Sequence, residues 1–417
     1  MDINRITGIR YSIFGVRNSI FVIRCSLFLI KVFMNSRGKI RFGIIGLGLM
    51  GREFASSIAR WCSLLSEDPV PVITGICSRT RESWKWYTGN FPDISIKTDN
   101  YRDLLDSDEI DAIYCAVPHN LHEQFYIDVI NAKKHLLGEK PFGIDKKANE
   151  NILRAVNENP DVLVRCSSEF PYFPACQQLV KWLRARKYGR IIEVRTGFHH
   201  SSDLDFSKPI NWKRMIGING EYGCLGDLGM HTLHVPFHMG WKPVSVYADL
   251  QKVVKTRPDG KGSIVPCETW DNAVLTCKSI DPATGEDFSM VVETKRMAPG
   301  ATNNWFIEVY GTAGSAKFST HNPKAFEYLT SDGREQGWTR IDTGSQSAIP
   351  SVTGGIFEFG FSDAVQQMIG AFINELSGNG SNHPFGNVTP EETGWSHELF
   401  TTALESHRIG RRLLIKV

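Results

Sequence analysis

A chain of 417 residues with 41% hydrophobic and 22% charged residues is a globular protein, too long for one ordinary hydrophobic core. Its formal charge is +2, but five basic residues (Arg5, Arg10, Arg17, Arg24, Lys31) fall in the first 33 positions against one acid, Asp2. The remaining 42 basic and 44 acidic residues offer no electrostatic case for nucleic acid.

The first segment advances in steps of seven, with Arg10, Arg17, Arg24 and Lys31 in register with Ser12, Ser19, Ser26 and Phe14, Phe21, Phe28. These charges leave no apolar run of the roughly 18 residues that a membrane-spanning helix needs, and no small-residue cleavage site follows. The preferred reading is a tandem repeat upstream of a start at Met34, with a basic targeting segment as the weaker match. Residues 1–38 are expected to stay outside the fold. The nine cysteines are scattered and include no Cys-x-x-Cys pair, so they read as small core residues of a cytoplasmic protein, not a disulfide or zinc framework.

From residue 39, strand and helix patterns alternate. Residues 40–45 suit a buried parallel strand, and 52–65 a helix with Phe54, Ile58, Trp61 and Leu65 on one face. Further strands are predicted over 70–76, 94–98 and 110–117, with helices over 80–90, 101–105 and 120–132. Residues 135–138 lead into Glu139-Lys140-Pro141. This α/β series predicts a doubly wound parallel Rossmann sheet over 39–160, with ligands at the carboxyl ends of its strands. Beyond it, strands over 190–198, 244–253, 272–277, 288–294, 305–310 and 316–319 alternate in the manner of an antiparallel sheet. Two helices close the chain, the second marked by Thr389 as N-cap, Pro390 and Glu392. A second α+β domain is therefore expected over 161–417, built on a large open, mostly antiparallel sheet, its last helices being candidates to pack on the first domain.

Gly46-Leu-Gly48-Leu49-Met50-Gly51 falls between a predicted strand and a predicted helix, where glycines permit a tight turn and close approach to a pyrophosphate. At the end of the second strand, Ser78-Arg79-Thr80 replaces the carboxylate that NAD sites place on the ribose. Arg79 suits a 2′-phosphate, a lean towards NADP over NAD; the alternative is an arginine stacked on adenine or solvated. Lys140 follows a strand end, where its ammonium would stabilise an oxyanion, and Pro141 holds the turn, in either isomer. Asp227 and His231 are four apart, so on a helix the carboxylate could orient an imidazole that accepts a hydroxyl proton. His234 and His238 extend that face, but a metal site is disfavoured because no matched ligand cluster appears elsewhere and Pro236 should distort the helix. His199 and His200, adjacent on a strand, should point to opposite faces.

Together with the run from Ala116 through Pro118, Asn120 and His122, these motifs resemble those of the Gfo/Idh/MocA oxidoreductases, the glucose-fructose oxidoreductase and inositol dehydrogenase group. The likeness extends from Lys39 nearly to the carboxyl terminus. It implies a Rossmann domain, an open-sheet domain and a homodimer or homotetramer. It also implies Lys140 as the active-site lysine, His231 as the proton-transfer residue and Asp227 as its partner. Pro118, Asn120 and His122 would line the nicotinamide side, with Glu139 near the cofactor. Departures at His234, where members often carry Asp, and within residues 170–174, where they often carry an arginine, bear on substrate contacts and not on the redox assignment.

The resulting expectation is an enzyme that transfers a hydride between NAD(H) or NADP(H) and a sugar, sugar derivative or cyclitol. Tyr172, Arg195, Asn211 and Trp212 are candidate substrate contacts; neither a membrane nor a nucleic acid is expected as partner. Two alternatives stay open: a redox-neutral enzyme that cleaves sugars through transient oxidation, and a non-catalytic dinucleotide-dependent sensor.

Overall fold

The computed structural model describes residues 38–331, 333–344, 346–378 and 385–416; the seven-step segment and Met34 lie outside the described residues. Six parallel strands form the first sheet: β1 (Lys39–Ile45), β2 (Val70–Cys77), β3 (Ile96–Thr98), β4 (Ala112–Cys115), β5 (His135–Gly138) and β6 (Val164–Cys166). Their order is β3-β2-β1-β4-β5-β6, so the order in which the chain adds strands reverses between β1 and β4, where ligands bind in such folds. The sixth strand lies beyond residue 160, past the expected domain division.

Helices α1 (Leu49–Ala59), α2 (Trp84–Asn90), α3 (Arg102–Leu105), α4 (His122–Asn131) and α5 (Lys146–Glu158) connect these strands. The helix expected over 52–65 ends early. Phe54, Ile58 and Trp61 are buried, but Leu65 is 58% exposed. Its N–H donates to the Pro350 carbonyl at 2.7 Å, so an extended pairing satisfies the backbone that a longer helix would have used.

After α6 (Pro174–Arg184) come β7 (Ile191–His200), the short α7 (Ile216–Asn219) and α8 (Cys224–His238). There follow β8 (Lys242–Gln251), a small hairpin of β9 (Thr256–Pro258) and β10 (Ile264–Pro266), then β11 (Asn272–Ile280), β12 (Asp287–Lys295), β13 (Asn303–Gly311), β14 (Gly314–Ser319), β15 (Ala325–Thr330) and β16 (Thr339–Asp342). The chain ends with α9 (Phe361–Leu376), α10 (Pro390–Ile409) and β17 (Leu413–Leu414). A nine-stranded sheet runs β16-β15-β14-β13-β7-β12-β11-β8-β17, antiparallel except where β7 meets β12.

Helix α8 lies on this sheet with nearly every residue buried. The Thr196 hydroxyl of β7 donates to the Thr232 carbonyl, and the Trp305 indole of β13 donates to the His231 carbonyl, both at 2.9 Å. Pro236 sits in the last turn, and the helix runs on to His238 instead of breaking. The last helices return to the first sheet: Phe372 of α9 packs on Phe42 of β1, and Asn149 of α5 donates to Thr393 of α10. Among the described residues no helix is long and apolar enough to cross a membrane. The eight described cysteines are free, and all but Cys62 are buried.

Candidate active site

The turn after β1 is shaped by what its glycines lack. Gly46 has φ +95°, and a Cβ there would lie 2.3 Å from the Ala116 carbonyl oxygen. A Cβ on Gly51 would come 2.3 Å from the Gly46 oxygen, so α1 can start this close to β1 only without one. Gly48 faces open space. No side chain caps α1, so its first N–H groups and positive dipole end face the same space. This is a cradle for a phosphate group.

The cradle opens into a cavity of about 1050 Å³ between the carboxyl ends of the parallel strands and α8. Gly46, Gly48, Leu49 and Met50 line one end with Ser78, Arg79 and Thr80; Pro118, His119 and Glu139 line the middle; Lys140, Trp212, Lys213, Asp227 and His231 line the other end. The space exceeds the usual pocket for one small ligand, about 300–1,000 Å³, and fits an extended cofactor with a second, small molecule.

At the far end a buried carboxylate gathers cations from three segments. Asp227 accepts from Lys140 Nζ at 2.7 Å, Lys213 Nζ at 2.8 Å and Arg296 Nη2 at 3.2 Å. The Lys140–Pro141 bond is cis. Lys213 is held by its carbonyl, which accepts from Thr269 and Arg296, and by its neighbour Arg214, which is buried between Asp203 and Asp271. Burial alone would raise the Asp227 carboxyl; Lys140, Lys213 and Arg296 outweigh it and hold the group well below the usual carboxylate range. Burial likewise lowers Lys140, but Asp227 and Glu139 more than compensate and keep its ammonium charged.

His231 is not oriented by Asp227 through a hydrogen bond, as the four-residue spacing suggested, because both Asp227 oxygens are committed to cations. Its Nδ1 instead lies 3.2 Å from the Ser168 hydroxyl and 3.9 Å from Glu169 Oε2, leaving Nε2 as the other ring nitrogen. Phe170 and Phe198 pack edge-on to the ring at 5.3 and 5.6 Å. Burial and the Lys140 charge push His231 well below its ordinary value, so the imidazole is neutral.

Several expected contacts lie elsewhere. His122 is fully buried behind the cavity, its Nε2 3.0 Å from the Val117 carbonyl; the 3₁₀ turn His119–Leu121 sends His119 inward instead. Asn120 is exposed on that turn and lines no part of the cavity. Gly51 serves the packing of α1 on β1. Tyr172 is buried against Phe385, and Phe170, at the start of the same turn, faces the site. Arg195 lies on the opposite face of β7 from Thr196, beside Glu293, because the strand alternates and Thr196 faces α8. The Asn211 side chain caps the following turn by accepting from the Lys213 N–H, so only Trp212 of the four substrate candidates borders the cavity. His199 and His200 divide as expected: His200 lines the cavity and His199 faces Glu293. His234 and His238 are engaged by the Gly386 carbonyl and the Glu392 carboxylate. Sequence reasoning missed Ser168, Glu169, Lys213, Arg296 and Asn303. Glu169 did carry a signal, as a carboxylate directly ahead of the apolar run 170–176.

Comparison with known proteins adds to this geometry. The model of an oxidoreductase family with an NAD-binding Rossmann fold matches residues 40–165, and that of the GFO/IDH/MocA C-terminal domain matches residues 176–317. The chain belongs to the Gfo/Idh/MocA oxidoreductase family. It is an oxidoreductase with an NAD-binding Rossmann domain. Among its relatives within and beyond that match, levoglucosan dehydrogenase of Pseudarthrobacter phenanthrenivorans is 21% identical over 320 residues, 73% of this chain and 80% of that protein. The scyllo-inositol 2-dehydrogenase (NADP(+)) IolU of Bacillus subtilis is 27% identical over 61% of this chain and 76% of its own. A solved structure of levoglucosan dehydrogenase in complex with NADH has the same fold, with a TM-score of 0.78 at 20% identity, covering 91% of this chain and 99% of that one.

Proposed function

We propose that this oxidoreductase interconverts a secondary alcohol and a ketone on a small sugar or cyclitol, with Lys140 and His231 at the reacting oxygen. The observation that carries the reading is the convergence, at one end of a dinucleotide-sized cavity, of a charged ammonium and a neutral imidazole. A bound nicotinamide supplies the hydride acceptor or donor. In the oxidative direction, Nε2 of His231 takes the hydroxyl proton while Lys140 stabilises the negative charge that grows on oxygen. Asp227 keeps Lys140 charged and aimed. Trp212, His200 and Asn303 border the space left for the sugar. The relatives named above, which act on levoglucosan and scyllo-inositol by their names, support this substrate class.

For the cofactor we propose a preference for NADP over NAD. Supporting it, Arg79, Ser78 and Thr80 line the cavity at the end of β2. We also propose a homodimer or homotetramer, the face of the nine-stranded sheet remote from α8 being suited to subunit contact.

The test follows nicotinamide absorbance with NAD and then NADP across sugars, cyclitols and their keto forms. Substrate-dependent change is expected, larger with NADP. Lys140→Ala should lower turnover by about 100-fold or more while changing cofactor affinity far less. Equal losses in both would remove Lys140 from the chemistry, and tight cofactor retention without net reduction would favour the redox-neutral alternative.

A further inference from the structure

We infer that Glu169 is the proton-holding partner of His231, receiving from Nδ1 the proton equivalent that Nε2 takes from the substrate hydroxyl. The inference rests on the dehydrogenase reading above and adds to it a positioning residue that the family motifs did not point to.

Glu169 lies in the connection after β6, at the carboxyl edge of the parallel sheet, and lines the cavity while only 4% exposed. Its Oε2 is 3.9 Å from His231 Nδ1, and the Ser168 hydroxyl stands 3.2 Å from the same nitrogen. The groups facing Glu169 are Glu139 and Lys140 at the end of β5, Glu53 of α1, Tyr114 of β4, Cys166 of β6 and His231 of α8. Lys140, Asp227, His200 and Lys213 face His231 in turn. Two carboxylates crowd Glu169, and the Oε1 atom of one, Glu53, is itself buried without a hydrogen-bond partner.

Burial and the neighbouring Glu139 charge push the Glu169 carboxyl up to about 8. Below that value Glu169 rests protonated, so the pair can accept the substrate proton only in the ionised fraction, which grows as pH rises. An imidazolium formed beside Lys140 is held at a cost, and the base within reach of its Nδ1–H is the Glu169 carboxylate. In oxidation the substrate O–H bond breaks and an Nε2–H bond forms. The Nδ1–H bond breaks and an O–H bond forms on Glu169, whose Oε2 is the carboxylate oxygen approaching that nitrogen. The carbon's hydride leaves to oxidised nicotinamide, the oxidant, and the alcohol becomes a ketone. Glu169 then releases the proton to water in the cavity.

The test is the pH dependence of kcat/KM for oxidation. The wild-type enzyme should gain about tenfold per pH unit on the acid side of an inflection near 8 and then level off, whereas Glu169→Gln should show a lower rate with no inflection there. The same inflection in both proteins would overturn the proposal. If Glu169→Gln does not fold, Glu169→Asp takes its place: a displaced inflection supports the pairing, and an unmoved one overturns it. A readout without turnover is the infrared carbonyl band of the protonated carboxyl in the cofactor-free protein, expected to titrate near pH 8 in the wild type and to vanish in the variant. If that band titrates but no substrate is oxidised at any pH, the dehydrogenase reading fails and the raised carboxyl stands; if substrate is oxidised and no band titrates there, the pairing fails alone.

Discussion

The chemistry of single residues in this site is set by which charges are matched and which are not. Asp227 is a buried carboxylate with three cationic partners, so its ionised form is favoured and it serves as a fixed anchor. Glu169 is the opposite case, buried at similar depth with other carboxylates as neighbours. The contrast has a thermodynamic consequence. An ordinary glutamate in the unfolded chain titrates near about 4.3, well below the value of about 8 that Glu169 reaches in the fold. Between those values the folded state holds a proton that the unfolded state has released. Stability from this group is therefore complete below about pH 4 and is lost as pH rises towards 8. Glu139, also raised by burial, adds a change of the same sign, so wild type and variant must be compared. Urea unfolding should show Glu169→Gln gaining on wild type, by several kcal/mol (order of magnitude), as pH rises from about 5 to about 8. A difference that does not change with pH would mean that the carboxyl is not raised.

At the scale of elements, the glycine-rich turn divides its labour in a way that substitution can separate. Gly51→Ala forces a methyl group against the Gly46 carbonyl, so it should destabilise the cofactor-free protein by about 1–3 kcal/mol. Gly48→Ala meets no protein atom within 4 Å and should leave the melting temperature unchanged, yet lower cofactor affinity because the methyl group projects where the pyrophosphate would lie. Equal effects on stability would contradict this division. The turn was legible because local chemistry dictates it: an apolar run, glycines where a side chain cannot fit, then a helix. The helix start at Thr389 was legible for the same reason, and its Oγ1 and the Glu392 carboxylate form the reciprocal cap. Strand parity was not. Alternation showed that Val194, Arg195 and Thr196 change faces in turn, but which face meets α8 is decided by packing, and Arg195 points the other way. The partners of Asp227 were hidden for a related reason: Lys213 and Arg296 lie 14 and 69 residues from it and meet only when β12 and the connection before α7 close over α8. His231 illustrates both limits, since its place on the helix follows from spacing while its hydrogen bond comes from a loop after a strand of the other sheet.

For the whole molecule, the site exists only while the two sheets are docked, because Lys140 belongs to the first and Asp227 and His231 to the helix on the second. The docking is extensive. One hydrophobic cluster runs from Phe42 and Phe54 through Phe372 to Trp305 and the strands of the second sheet. Polar ties reinforce it: Gln366 of α9 donates to the Ser57 carbonyl at 3.0 Å, Arg165 pairs with Glu375, and His397 of α10 lies 2.6 Å from the Pro141 carbonyl beside Lys140. Two domains joined by a polar, hydrated interface would unfold separately, as multidomain proteins often do. Here the C-terminal helices complete the core of the first sheet, so loosening either part exposes apolar surface of both. Scanning calorimetry should therefore show one transition, with calorimetric and van't Hoff enthalpies in agreement. Phe372→Ala removes a fully buried ring at the junction and should cost about 3–5 kcal/mol, moving that single transition down as a unit. Two resolved transitions, only one of them displaced by the substitution, would mean that the sheets fold independently. The Lys140 to Asp227 distance would then depend on a movable interface and not on a shared core.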